Sequence, residues 1–305
     1  MAVPRDLARR RTSPVEFWFG LFLVLFSGQF LSNLPLILEH RTWQLQFGAF
    51  GLTLTGITLF VAGGYVLQSG LEERRTHLAL AVAALAFGLM GLYPNIVYGN
   101  PFALVVGLPG GLIVLFGLLG GLVLAYAAVW FARAVFAEAG LDQVRRMGLV
   151  FLAAVALERG VIQFLRTLVQ VLAEPGTLRA WAVFSWVAFA GRFLPVLVRG
   201  LAAAMILWVV WAAVGRDFGL PAREQPRRLL VGVAGLAIAL WASADLFYAG
   251  ALWAAWAVPF TPDPPLLFKV RTSALILLPA LPLLALADAV RREGLLLTSR
   301  PGRAR

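Results

Sequence analysis

The sequence predicts an all-α fold, a polytopic bundle of about eight transmembrane helices with both termini in the cytoplasm. Three observations carry that prediction. Of 305 residues 61% are hydrophobic and only 13% charged, where a soluble domain carries about 25% charge. The apolar residues run in unbroken blocks rather than in a period-2 or strict 3.6-residue pattern, as expected of helices that are apolar all round. Arginines, finally, collect in alternate loops between the blocks.

A span needs about 20 apolar residues to cross a hydrocarbon core near 30 Å. Eight blocks qualify, at 15–38, 43–68, 77–98, 112–136, 147–172, 180–214, 229–258 and 266–290, within a single integral membrane domain. Arginines precede the first block as in a signal peptide, but the block is too long and lacks a small-residue cleavage site, so it reads as a retained span. The neutral stretch containing Pro101, Pro109, Gly110 and Gly111 reads as the approach to the fourth span, whose start falls at Phe102 or Leu112. The sixth block is too long for one upright helix. An interfacial piece with Trp181, Trp186 and Phe189 is expected ahead of a span near 193–214, bent by Pro195. Pro279 and Pro282 bend the last helix.

Orientation follows from the rule that positive residues stay on the cytoplasmic side. Arg5, Arg9, Arg10 and Arg11 precede the first span. Alternate loops then hold Arg74 and Arg75, Arg145 and Arg146, and Arg216, Arg223, Arg227 and Arg228, and the tail holds Arg291, Arg292, Arg300, Arg303 and Arg305. The intervening loops carry Arg41, no charge, Arg179 and Asp263. An even number of spans with both ends inside accommodates every loop, and the plasma membrane is the expected location.

The formal charge of +11 sits in these loop clusters, not in a basic stripe interleaved with aromatics, so nucleic acid is not an expected partner. With no cysteine, thiol catalysis and thiolate metal sites are excluded. His40 and His77 fall at ends of different spans on opposite faces, which leaves no bis-histidine haem. Neither a cofactor nor a metal is expected. Signatures of zinc proteases, serine hydrolases, nucleotide-binding loops and Rossmann folds are missing.

Charges inside the spans are the informative exceptions. On the fifth span Arg159, Gln163, Arg166 and Gln170 share one face with Glu158 at its flank, and a charge near mid-bilayer costs several kcal/mol unless paired or hydrated. Ser185, Arg192 and Arg199 recur by sevens on the sixth. Trp241, Asp245 and Tyr248 share a side of the seventh, and Lys269 and Arg271 open the eighth. If these faces converge, six cations confront two carboxylates. Arginine's planar fork suits phosphate or carboxylate and cannot act as a base. The expected function is therefore binding or transport of an anionic solute or lipid headgroup through a basic, outward-facing cavity, with Glu158, Arg159, Gln163, Arg166, Arg192, Arg199, Asp245, Tyr248, Lys269 and Arg271 as its residues. Membrane lipids are the expected partners.

Plainer readings stand beside it. Arg166, Arg192, Lys269 and Arg271 can snorkel to headgroups, while Glu158, Asp245 and Asp288 can pair with arginines for helix assembly. The chain would then be a non-catalytic membrane subunit or sensor module. A third reading, an intramembrane lipid-modifying enzyme, would use Glu158 and Asp245 as acid and base. Polar groups of the first and third spans, Ser27, Gln29, Ser32, Asn33, Tyr93, Asn95, Tyr98 and Asn100, read as cavity lining or, more simply, as interhelical hydrogen bonds and an interfacial aromatic belt. Gly117, Gly121, Ala125 and Ala128 on the fourth form a small-residue stripe that lets a neighbouring helix approach.

Overall fold

The computed structural model describes residues 12–32, 34, 43–97, 99–173, 186–219, 225–256 and 266–299, and among them the regular structure is entirely helical. The helices are α1 (Pro14–Leu31), α2 (Trp43–Ser69), α3 (Arg74–Val97), α4 (Gly99–Phe136), α5 (Leu141–Ala156), α6 (Gln163–Ala173), α7 (Trp186–Val214), α8 (Arg227–Trp256) and α9 (Leu266–Ser299). A π-helical turn, Leu157–Ile162, joins α5 to α6 and makes one continuous rod, the fifth span; a 3₁₀ turn, Gly215–Phe218, ends α7. Eight of these rods are long and apolar enough to cross a membrane.

Each rod packs on its neighbours in chain order, and α9 returns to pack on α1, so the eight spans close into a ring. Outward faces keep large apolar side chains uncovered, among them Phe50, Ile57 and Phe60 on α2, Leu115, Leu119 and Leu122 on α4, and Leu194, Leu197 and Leu201 on α7. Water would not tolerate such a girdle, whereas lipid covers it without cost. Inside the ring, the half bounded by α1 to α5 is filled by Leu23, Phe30, Leu59, Phe87, Leu124 and their neighbours. Phe22, Phe26 and Phe30 stand one turn apart on α1, with centroids 5.2 and 5.3 Å apart, and Phe87 meets Phe30 edge-on at 5.9 Å.

Contacts between the described residues show which ends of the rods meet. Glu16 is the clearest case. Its Oε2 accepts from the Ser13 amide at 2.8 Å while Ser13 Oγ accepts from the Glu16 amide at 3.2 Å, a capping box that starts α1. Its Oε1 accepts from the Leu71 amide at 2.7 Å, just past Gly70, whose φ of 75° ends α2. One carboxylate thus ties the start of α1 to the α2–α3 turn. At the same end Arg74 meets Glu138 at 2.5 Å, Arg145 meets Glu72 at 3.4 Å and Arg146 meets Asp217 at 3.3 Å. Gly235 near the start of α8 faces Arg291 near the end of α9. The arginine-rich loops described therefore share one end of the bundle. At the opposite end Gln29 donates to the Leu275 carbonyl at 2.9 Å.

The small-residue stripe of the fourth span packs within the chain. A Cβ on Gly121 would lie 2.9 Å from the Gly91 carbonyl oxygen, and one on Gly88 would meet Ala128 at 2.9 Å and Ala125 at 3.2 Å. One expectation is sharpened and one needs revision. Of the two starts expected for the fourth span the helix favours the earlier: α4 runs unbroken from Gly99 through Pro101 and Pro109, because proline is tolerated in the first turn and membrane neighbours compensate one deeper in. In the sixth block, residues 186–192 continue the spanning helix α7 rather than forming a separate interfacial piece, and α7 passes through Pro195. Trp181 and the block's first residues lie outside the described region.

Candidate functional site

Three charged residues, one each from the fifth, sixth and seventh spans, sit at similar depth along the bundle. At about 1.5 Å per residue, Arg159, Arg199 and Asp245 all lie about 6–10 Å beyond the middle of their apolar helices, away from the arginine-rich end. Arg166 is about 16 Å beyond the middle of its own.

The π-turn sets the register at this level. Gly160 within it is buried against α7, where a Cβ would overlap that of Ala203 and come within 3.0 Å of the Arg199 carbonyl oxygen and 3.5 Å of the Trp241 ring. The wide turn and the missing side chain together bring the fifth span flush against α7, and Trp241 reaches across from α8. Turns of this kind recur at functional positions in helices.

Glu158 and Arg159 flank that contact. Arg159 Nε stands 2.8 Å from Glu158 Oε2, with side-chain exposures of 48% and 12%. Sequence neighbours on a helix cannot face one another squarely. Oε2 accordingly remains buried without a hydrogen bond despite the nearby charge. The Arg159 guanidinium lies over the Phe87 ring at 5.2 Å, a cation–π contact joining the fifth span to the aromatic half of the core.

Arg199 on α7 donates from Nη2 to Asp245 Oδ1 on α8, with exposures of 26% and 17%. Its guanidinium is 5.9 Å from the Tyr248 ring. Here too a polar atom is left over: Arg199 Nε is buried with no acceptor. Ser273 Oγ on α9 is the third such atom. Buried atoms left without a hydrogen bond are uncommon in folded proteins.

The expected single cluster of six cations is resolved into separate arrangements. Arg199, Asp245 and Tyr248 come together, as do Glu158 and Arg159, and Arg166 follows about two turns beyond Arg159 on the same rod. Arg271 turns instead to α1 and donates to the Ser32 carbonyl at 2.6 Å, where a cation satisfies a helix C-terminus. Gln163 is exposed, and its backbone carbonyl accepts from Thr167 at 2.9 Å. Lys269 is half-buried at the start of α9. The side chains of Gln170, Arg192, Asn95 and Asn100, and all of Ser185, Asn33 and Tyr98, lie outside the described residues. Of the first-span polar groups, Ser27 and Ser32 bond to carbonyls within their own region, at 2.6 and 2.8 Å, and Gln29 crosses to α9. Asp288 pairs with Arg291 at 3.0 Å and Arg292 at 2.6 Å on the surface.

Sequence reasoning passed over Phe87, Gly160 and Ala203. Phe87 gives no signal in an apolar run. A glycine beside the charged pair Glu158–Arg159 was a readable sign of close approach. Among the described residues no group of three metal-ligating side chains occurs. No protein-family model, curated protein or solved structure matches the chain.

Proposed function

We propose that this chain is a multi-pass protein of the plasma membrane that binds, and in binding moves or senses, an anionic group entering the ring from the end opposite the arginine-rich loops. One observation carries the reading. Among the described side chains in the halves of the fifth to seventh spans away from the arginine-rich loops, three arginines (Arg159, Arg166, Arg199) accompany two carboxylates (Glu158, Asp245), and Arg166 has neither ion-pair nor hydrogen-bond partner among them. A cation at the mouth and, two turns deeper, a half-exposed one at the same depth as a buried unsatisfied N–H offer successive contacts to a phosphate or carboxylate. The orphan Glu158 Oε2 would accept a hydroxyl or ammonium carried by the same ligand.

The assembly reading has its own support, since Arg199 and Asp245 already neutralise one another across two helices. Arg166 separates the two. Thermal unfolding of the detergent-purified protein is followed against phosphate and, separately, an anionic lipid. The anion reading expects a concentration-dependent rise in Tm that Arg166→Gln removes without lowering the starting Tm. Unresponsive wild type, with Arg166→Gln equally stable, leaves assembly as the role of these charges.

A further inference from the structure

At the arginine-rich end, the outer surface between the fifth span and α7 carries an apolar groove of about 490 Å³, lined by Val150, Ala153, Leu207, Trp211 and Phe218 with almost no polar surface. That volume lies in the range of small-molecule sites, about 300–1,000 Å³. Trp211 and Phe218 are exposed, so the groove opens sideways, to the place lipid occupies. Gly215 is part of its wall, and a Cβ there would strike the Trp211 indole. The glycine leaves the ring room to lie along the floor.

An ion pair stands at the mouth. Arg146 precedes Val150 by one turn of α5 and so shares its face. Asp217 lies in the 3₁₀ turn between the wall residues Gly215 and Phe218. The two meet through a single contact of 3.3 Å, with side-chain exposures of 50% and 40%. Most of the guanidinium's five donors and the carboxylate's lone pairs are left for another partner. Exposed pairs contribute little to stability, so re-partnering costs little.

We propose that this groove is a binding site for a phospholipid with a primary-ammonium headgroup. One acyl chain lies along Val150, Ala153 and Trp211, the phosphate meets Arg146, and the ammonium meets Asp217. The mouth sits at the end of a span, the depth of lipid phosphates, and its adjacent cation and anion complement a headgroup that carries both charges. A glycerol headgroup offers Asp217 only neutral hydroxyl donors and no positive charge. A quaternary ammonium has no N–H to donate.

The test uses the full chain purified in detergent and titrated with phosphatidylethanolamine, phosphatidylcholine and phosphatidylglycerol of matched chains, with Tm as readout. Phosphatidylethanolamine should act at up to about fivefold lower concentration than either rival, the effect of one exposed ion pair. Asp217→Asn should abolish that advantage, Arg146→Gln should weaken the response to all three, and soluble phosphoethanolamine should give none. Quenching by phosphatidylethanolamine brominated on its chain supplies a readout independent of any folding defect: it should fall in Trp211→Phe and in the groove-filling variant Ala153→Phe. Equal responses to phosphatidylethanolamine and phosphatidylcholine in the wild type, or an undiminished preference in Asp217→Asn, overturns the proposal. So does a dimer that Ala153→Phe dissociates in the absence of any lipid preference, which assigns the groove to a second copy of the chain.

Discussion

Arg199 and Asp245 face one another across the junction of α7 and α8, both largely withdrawn from solvent, and the guanidinium donates to the carboxylate. Neither has a second ion-pair partner among the described residues. Each charge is therefore tolerated at its depth because of the other.

Breaking this pair on one side should cost more than removing it altogether. Arg199→Leu leaves Asp245 charged and unpaired and is expected to destabilise by about 3 kcal/mol, while Arg199→Leu with Asp245→Leu should return close to wild type. Unfolding of the two single variants and the double variant gives the coupling directly. Additive losses would show that the two side chains do not depend on one another.

The contact of Gly160 with Ala203 makes a second prediction, about packing rather than charge. Gly160→Ala places a methyl group where Ala203 and the Arg199 carbonyl already are, and over-packing of this kind costs about 1–3 kcal/mol. Ala203→Gly in the same chain should recover part of the loss. If Gly160→Ala alone is neutral in thermal unfolding, the fifth span and α7 are not in close contact at the π-turn.

The alternation of apolar blocks and arginine clusters sufficed to number the spans, since block length and loop charge are properties of residue type alone. Closure of the ring was not legible. It depends on α9 finding α1, and the groups that bridge them, Gln29 and the Leu275 carbonyl, look like any polar residue in an apolar run. The candidate site was half legible. Helical spacing placed Asp245 and Tyr248 on one face with Trp241, and Arg199 meets that face. The same spacing could not foresee the contact of Arg271 with the Ser32 carbonyl, because helix periodicity gives a direction and not a partner. It also could not anticipate the π-turn, which shifts the register of everything after Ile162 relative to Leu141–Ala156.

The last prediction concerns orientation, on which the direction of approach to the site depends. Ser69, Gln143 and Gln225 lie beside the arginine-rich loops, and contacts through Glu16, Glu72 and Asp217 gather those loops at one end of the ring. Positive residues are retained on the cytoplasmic side, and the bias is read over short loops such as these. Because the native chain has no cysteine, single cysteines introduced at these positions report without background. A membrane-impermeant maleimide applied to intact cells should leave Ser69→Cys, Gln143→Cys and Gln225→Cys unlabelled, and should label Thr42→Cys and Asp263→Cys. Labelling of Gln225→Cys from outside, with the first two protected, would mean that the sixth block crosses twice. Labelling of all three would invert the protein, and Arg166 would then open toward the cytoplasm.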